Sequence, residues 1–248
     1  MVLVHAIRAD QGARSYQEDA AAVRPYAGGL AAVLADGMGG HAGGAVASEV
    51  ASTGFLEAFL AAAGEARVRL VQALDLANTA IAERASGRPE LRGMGCTLVG
   101  ASFGPEGLSW ISVGDSPLYL VRGGQLRRLN EDHSLAPEVD RLAALGRISW
   151  DLAKIHPERH VLRSALMGSE IELIDASEAP LALQPGDLVI LASDGIHTIP
   201  DSEIARLCAA VETPDAAAEA LLAAVAAAGD PHQDNTTVVV VRILQDAA

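Results

Sequence analysis

Short apolar runs separated by turn residues extend over the whole 248-residue chain and constrain its fold more than any other feature. Runs of this length, rich in Val, Ile and Leu, are typical of buried β-strands. The pair Gly123-Gly124 between two short runs indicates a hairpin turn. We therefore expect strands in sequential order, linked by hairpins and paired in antiparallel sheets. The principal runs are residues 2–7, 30–35, 97–103, 108–113, 118–121, 187–192 and 237–244.

Helical patterns occur in pairs between these runs. Residues 45–63 are predicted to form one helix, and apolar residues recur at helical spacing over residues 70–81 in the next. Near the C-terminus, a helical segment at residues 204–211 precedes an Ala-rich helix that is capped by Thr213 and ended by Gly229. Many strands with helices segregated in pairs predict an α+β fold, with two packed sheets flanked by helices.

The sequence contains no internal repeat or long linker, which favours one domain over residues 1–248. Residues 132–167 differ from the rest because they are mixed in character, polar, and broken by Pro137, Gly146 and Pro157. We expect this segment to be an excursion that lies over one end of the sheets.

The balance of charge excludes some classes of partner. A formal net charge of -14 argues against nucleic acid or an anionic membrane as the main partner. Cys96 and Cys208 lack CxxC spacing and stand in apolar surroundings, so we expect buried thiols in a reducing compartment. No apolar stretch approaches the roughly 18 residues of a membrane span. These features predict a cytoplasmic protein, and we expect a monomer.

Acidic residues stand at the ends of five predicted strands. A single Asp-Gly after a strand is usually a turn, and the strand ends could also be scattered over both faces of a sandwich. If the carboxylates meet, their repulsion requires a compensating cation. Ligands that are all oxygen select hard ions such as Mg²⁺ or Mn²⁺. The acidic residues concerned are Glu18, Asp19, Asp36, Asp115, Asp194 and Asp234.

Six motifs occur in a fixed order along the chain and together suggest a family. They are RSYQED at residues 14–19, LADGMGGH at 34–41, VGDS at 113–116, EDHS at 131–134, ASDG at 192–195 and DNTT at 234–237. With these motifs the chain resembles the metal-dependent protein phosphatases, often called type 2C serine/threonine phosphatases, in their compact bacterial form.

The resemblance implies a four-layer α-β-β-α sandwich with a binuclear metal centre at one end. By this resemblance Asp36 bridges two metals, Asp194 and Asp234 are ligands of the first metal, and the Gly37 carbonyl is a ligand of the second. Glu18 holds the second metal through water. The expected ions are Mn²⁺ or Mg²⁺, two in number, with a third, weaker ion in bacterial members.

The resemblance also assigns roles around the metal ligands. Asp115, together with Asp194, is similar to the pair that holds the third metal, and Asp19 resembles an outer partner of bound water. Asn235, beside Asp234, is a further candidate for a supporting role. Arg14 resembles the arginine that binds phosphate, although it could instead form a surface ion pair with Glu18 or Asp19. Residues 132–167 correspond to a mobile flap.

The implied activity is hydrolysis of phosphoserine and phosphothreonine in proteins by a metal-activated water, against the action of a serine/threonine kinase. Two alternatives stay open. One is a regulator with the same fold that binds phosphoproteins without turnover, and the other is a phosphomonoesterase that acts on small molecules. The presence of Asp36, Asp194 and Asp234 favours the enzyme.

Some positions depart from the family pattern. Met38 stands where many eukaryotic members have a histidine proposed as general acid, so the proton for the leaving group must come from elsewhere. His41 and metal-bound water are candidates, but His41 could equally be an ordinary polar residue at a helix start. Gln17 and Pro117 also differ, and we expect little effect on catalysis. Among flanking residues, His133 and Ser134 are expected to be scaffold, and the basic residues His156, Arg159, His160 and Arg163 are expected to form a solvated face rather than a phosphopeptide contact.

Overall fold

A computed structural model describes residues 1–39 and 42–245 of the chain. Its strands are β1 (Val2–Asp10), β2 (Asp19–Tyr26), β3 (Gly29–Met38), β4 (Gly95–Cys96), β5 (Leu98–Gly104), β6 (Gly107–Val113), β7 (Leu118–Arg122), β8 (Gln125–Arg128), β9 (Asp175–Ala176), β10 (Leu188–Ala192) and β11 (Thr236–Leu244). Its helices are α1 (Ala42–Ala61), α2 (Ala66–Ala85), α3 (Ala136–Ala144), α4 (Trp150–Lys154), α5 (Asp201–Ala209) and α6 (Pro214–Ala228). Short 3₁₀ turns occupy Pro89–Leu91 and Asp194–Thr198.

The strands form two antiparallel sheets, as the sequence predicts. One sheet has the order β1-β11-β10-β7-β8, and the other has the order β2-β3-β5-β6-β9, with β4 paired to β3. The expectation of sequential strand order is wrong for the first sheet, because the first and last strands of the chain pair along nine residues of each. Hairpin turns are local features, whereas this pairing joins the two ends of the sequence.

Three separate apolar clusters lie between four layers, which confirms the predicted α-β-β-α sandwich. The first packs α1 and α2 on the second sheet, and Phe55 is part of it. The second packs α5 and α6 on the first sheet, and Leu221 is part of it. The third lies between the two sheets and contains Leu34 and Val239. Both sheets are therefore covered on both faces, so their central strands are continuous apolar runs.

The helix predictions hold with shifted ends. The helix predicted for residues 45–63 is α1, at Ala42–Ala61, and the helix predicted for 204–211 is α5, at Asp201–Ala209. The hydroxyl of Thr213 accepts a hydrogen bond from the Ala216 backbone N–H at 3.2 Å, which caps α6 as expected. None of the helices in the described parts of the chain is long and apolar enough to cross a membrane.

The flap segment contains more regular structure than its sequence suggests. It carries α3 and α4, which share a small apolar cluster of Val139, Ala143 and Ala153, with Ile148 against it. Only five residues form α4, and its start is capped by the hydroxyl of Ser149. Both helices are too short to show a clear periodic pattern, which is why the sequence indicated an irregular excursion.

The contact between α1 and the second sheet depends on a glycine. A methyl group added to Gly100 in β5 would overlap the ring of Phe55, which is completely buried. We expect Gly100→Ala to destabilise the protein by about 2 kcal/mol in chemical denaturation, because the ring has no space to move into. Gly54→Ala is a matched control, since a methyl group there meets α2 only at ordinary distances of 3.7 Å or more and improves helix propensity. Equal stability of the two variants would contradict this account of the packing.

Candidate metal centre and active site

One half of the site is built on the second sheet. Asp19 at the start of β2 lies opposite Asp36 near the end of β3, so strand pairing alone brings two carboxylates together. Thr97 fixes the backbone of Asp36 from both sides: its N–H donates to the Asp36 carbonyl at 2.8 Å, and its hydroxyl accepts from the Asp36 N–H at 3.1 Å. The position of Asp36 is thus set by rigid strands and by no mobile loop.

The first sheet supplies the other half. Asp194 opens the 3₁₀ turn after β10, and Asp234 lies two residues before β11. The two sheets are linked here by Ser193, whose hydroxyl donates to Oδ2 of Asp19 at 2.8 Å and accepts from the Thr237 N–H at 2.8 Å. Neighbouring antiparallel strands end and begin at the same edge, which explains why acids distant in sequence meet.

Asn235 holds the segment that carries Arg14 and Glu18. Its side-chain amide donates to the carbonyls of Gln11 at 2.8 Å and Tyr16 at 3.0 Å, and its Oδ1 accepts from the Glu18 N–H at 2.8 Å. The supporting role expected of Asn235 therefore has a physical basis, because three of its hydrogen bonds position this loop.

Close backbone packing places Glu18 beside Gly37. The Gly37 N–H donates to the Glu18 carbonyl at 3.1 Å, and Ser48 donates to the same carbonyl at 2.5 Å. A methyl group at Gly37 would overlap the Gly44 carbonyl, and one at Gly44 would overlap Oε1 of Glu18. Glycine after Asp36 is therefore required for close approach, and the Asp-Gly pair lies inside β3 rather than in a turn.

These elements enclose a cleft of about 250 Å³ at one end of the sandwich. Most of the residues proposed from sequence line it together with two residues of the flap. The lining consists of Arg14, Glu18, Asp36, Gly37, Met38, Gly39, Thr97, Asp115, His160, Leu162, Asp194, Asp234 and Asn235.

Burial and mutual repulsion disturb the ionisation of these acids. Burial, followed by repulsion from Asp19 and Asp194, raises the pKa of Asp36 well above its usual value. Burial raises the pKa of Asp115 to about 7 and that of Asp19 to about 6, with repulsion from Asp194 contributing to both. The pKa of Asp194 is also raised, by burial and then by Asp234. The cleft thus concentrates more negative charge than the protein compensates.

The residues present fit a hard divalent cation. Every candidate ligand offers oxygen, and the elevated pKa values show that added positive charge would be favourable. Among the described residues, no three His, Cys, Asp or Glu side chains are already close enough to hold one ion between them. A bound cation would therefore require some movement of these side chains.

Arg14 lies at the cleft and pairs with Asp234, 2.5 Å from Nη2 to Oδ2, rather than with Glu18 or Asp19. Asp19 is not among the residues that line the cleft, and its Oδ2 accepts a hydrogen bond from the Ser193 hydroxyl. His41 falls outside the described residues.

Two flap residues, His160 and Leu162, line the cleft. His160 is exposed, as expected of a solvated face, and it also lines the cleft. Arg159 and Arg163 instead pair with Asp140 and Glu138. His160 follows no strand, and its position depends on the fold of the flap, which local sequence does not show.

His133 and Ser134 are scaffold, as expected. Nδ1 of His133 accepts from the Gly114 N–H at 3.3 Å, and the hydroxyl of Ser134 donates to Asp132 at 2.6 Å.

Comparison with known proteins agrees with this geometry. The family model described as Stage II sporulation protein E (SpoIIE) matches residues 26–244. The serine/threonine protein phosphatase PstP of Mycobacterium tuberculosis is 35% identical over 250 residues, covering 98% of this chain and 46% of PstP. The chain thus spans about half the length of that relative. The serine/threonine phosphatase stp of Listeria monocytogenes is 34% identical over 216 residues, covering 84% of this chain and 82% of stp.

Solved structures show the same architecture. The crystal structure of PstP from M. tuberculosis superposes with a TM-score of 0.82 at 34% identity, covering 99% of this chain and 100% of that one. The PstP catalytic domain in complex with two manganese ions superposes with a TM-score of 0.79 at 32% identity, covering 98% and 99%.

Two packed sheets with an acidic cleft at one end define the class of metal-dependent phosphatase sandwiches. Within that class, the chain belongs to the PPM, or type 2C, family of bacterial serine/threonine protein phosphatases.

The charge excess in the cleft predicts a pH-dependent instability of the metal-free protein. The pKa of Asp115 is about 7 in the folded state, against an ordinary value of 3.8. Because the folded protein holds this proton more tightly than the unfolded chain does, the stability that the proton contributes is fully present below pH 3.8 and is lost as the pH rises through 7. In EDTA, Asp115→Asn should therefore be more stable than the parent protein at pH 8, on the order of 2 kcal/mol by denaturation. The difference should shrink as the pH falls toward 4.

The control for this experiment is Asp75→Asn, which removes an exposed carboxylate on the outer helix α2. A stability gain for Asp115→Asn that is the same at pH 4 and pH 8 would contradict the proposed charge excess.

Proposed function

We propose that this chain is a metal-dependent phosphatase that hydrolyses phosphoserine and phosphothreonine in proteins. The observation that carries the proposal is that four aspartates from both sheets line one cleft together with an arginine: Asp36, Asp115, Asp194, Asp234 and Arg14. The serine/threonine phosphatases PstP and stp support it as relatives, and a non-catalytic regulator would not need this complete set of acids.

The metal site would use the ligands that the family resemblance assigns. Asp36 would bridge two ions, with Asp194 and Asp234 on the first, and Glu18 and the Gly37 carbonyl on the second. Asp115 and Asp194 would hold a third, weaker ion. Mn²⁺ is favoured because the related PstP catalytic domain holds two manganese ions, and Mg²⁺ would suit the same oxygen ligands. Such ions lower the pKa of water and neutralise charge on a transferring phosphoryl group.

The protein side chains would position the phosphate rather than attack it. The planar guanidinium of Arg14 can make two parallel hydrogen bonds to phosphate oxygens, and its side chain is about half exposed at the cleft. Asp234 restrains this guanidinium before substrate arrives. Cys96 is fully buried in β4, and burial raises its thiol pKa, so it would not act as a nucleophile.

The leaving oxygen needs a proton, and Met38 offers none. His160 is the histidine that the described part of the chain brings to this cleft. Its imidazole would donate a proton to the departing serine or threonine oxygen, a role that histidine fills more often than any other side chain. Residues 132–167 would accordingly act as a flap that brings a functional side chain to the substrate.

The substrates would be phosphoproteins produced by a serine/threonine kinase. We propose that residues 1–248 form one catalytic domain for this reaction, with the flap as part of it. The names of the relatives support protein substrates over small phosphomonoesters, because PstP and stp are both serine/threonine phosphatases.

Removing a proposed metal ligand should abolish turnover. We expect Asp36→Ala and Asp234→Ala each to lower the rate of p-nitrophenyl phosphate hydrolysis in Mn²⁺ by about 1000-fold, because metal assistance contributes several kcal/mol. Chelation should remove the activity of the parent protein. Asp75→Ala is the matched control for loss of a carboxylate, and circular dichroism checks the fold. Parent-like turnover by the two site variants would show that the ligand assignment is wrong.

Arg14 should act on substrate binding. We expect Arg14→Ala to raise KM for a phosphothreonine peptide by about tenfold with a smaller effect on kcat, because charge-assisted hydrogen bonds to phosphate are lost. Arg14→Lys keeps the charge but not the planar fork, so it should recover only part of the affinity. An unchanged KM in Arg14→Ala would show that Arg14 forms its ion pair with Asp234 but does not bind the phosphate.

A further inference from the structure

A second, larger cleft of about 640 Å³ opens directly beside the catalytic cleft. Asp115 and His160 line both, so the two clefts are adjacent. The flap forms one wall of the larger space, which we name the flap cleft, and the segment from His197 to Asp201 forms the opposite wall. A polypeptide whose phosphorylated side chain entered the catalytic cleft would place its neighbouring residues in the flap cleft.

Two of the three strong cations in the flap cleft already have carboxylate partners. Arg128 pairs with Asp132 at 3.1 Å and also donates to the Asp115 carbonyl at 2.8 Å. Arg159 makes a two-pronged contact with Asp140, at 2.6 and 3.0 Å. Their charges are therefore largely compensated within the protein.

Lys154 differs from both arginines. It is the only lysine in the 248-residue sequence, it ends α4, and its side chain is exposed along the flap cleft. No carboxylate of the described residues lies within ion-pair distance of its ammonium group. An exposed ammonium without a partner can exchange water for an anionic ligand with little rearrangement.

The wider distribution of charge makes the location of Lys154 significant. The chain carries a net charge of -14, but residues 132–167 contain five basic and five acidic side chains, not counting histidine. The negative charge therefore lies outside the flap. An acidic substrate would be repelled by most of the surface and least by the flap.

We propose that Lys154 selects substrates that carry an anionic group close to the phosphorylated residue, bound in the flap cleft. The group is an acidic side chain of the same polypeptide or a second phosphate, which share the same chemistry toward an ammonium group. This inference rests on the proposed phosphatase function and extends it to a class of substrate. Arg128 and Arg159 shape the cleft, and among its described residues Lys154 supplies the strong cation that has no ion-pair partner.

The test compares phosphothreonine peptides that differ in one residue. One glutamate is moved through each position within four residues of the phosphothreonine, against an all-alanine peptide, and a parallel set carries a second phosphothreonine instead. For the parent protein we expect kcat/KM to be about three- to fivefold higher for the best acidic peptide than for the neutral one. This ratio should decrease at high salt, because salt screens the interaction. Lys154→Met should remove this ratio, and Lys154→Glu should reverse it in favour of an arginine-containing peptide.

Arg147→Gln is the matched control, because it removes one exposed positive charge from the same flap without touching either cleft. Loss of the acidic preference in Lys154→Met but not in Arg147→Gln supports the proposal. Equal loss in both variants, a preference that survives Lys154→Met, or no preference in the parent protein overturns it. The glutamate and phosphothreonine sets show which source of charge is used.

Peptide binding measured by fluorescence anisotropy in Mn²⁺ separates this inference from the proposed function. A chain that bound acidic peptides through Lys154 without hydrolysing any peptide would refute the phosphatase activity and leave the selectivity intact. A chain that hydrolysed all peptides at the same rate would refute the selectivity and leave the phosphatase activity intact.

Discussion

Electrostatic repulsion among buried carboxylates is the constraint on which the rest of this structure depends. Asp19, Asp36, Asp115 and Asp194 all have raised pKa values, because burial removes water and the acids face one another. Such a cluster persists only if the surrounding fold is stable enough to hold it. Three apolar clusters between four layers supply that stability, and the acids stand where rigid strands end. Binding of a cation at this cluster would therefore be linked to the stability of the fold.

The same end of the sandwich is where the two sheets are joined by polar contacts. Ser193 bonds to Asp19 across the sheets, and Asn235 reaches from before β11 to the loop that carries Glu18. A cation held by Asp36 and Asp194 would add a further connection between the sheets at this point. The site is therefore positioned by groups that do not touch the substrate, and a change at Ser193 or Asn235 would act by displacing ligands.

Much of the site could be predicted from sequence because its acids follow apolar runs directly, as Asp36 and Asp194 do. That pattern can be seen in the local sequence, and the pairing of the strands then brings the acids together. The pairing of β1 with β11 was missed because its partners lie at opposite ends of the chain. The position of His160 at the cleft was not predicted for a related reason. It depends on how α3 and α4 pack, and both helices are too short to show a clear periodic pattern in the sequence. Thr97, which fixes Asp36, stands at the start of a predicted strand and carries no pattern that marks it.

The flap is organised largely within itself, and this determines how it can act on a substrate. Val139, Ala143 and Ala153 form its own small core, and Arg159 pairs with Asp140 inside it. Its connections to the sandwich lie near its ends: His133 donates its N–H to the Gly114 carbonyl at 3.1 Å, and Leu166 pairs with Cys96. Cys96 in turn pairs with Gly37. The flap is thus joined through β4 to β3, the strand that carries Asp36 and Gly37.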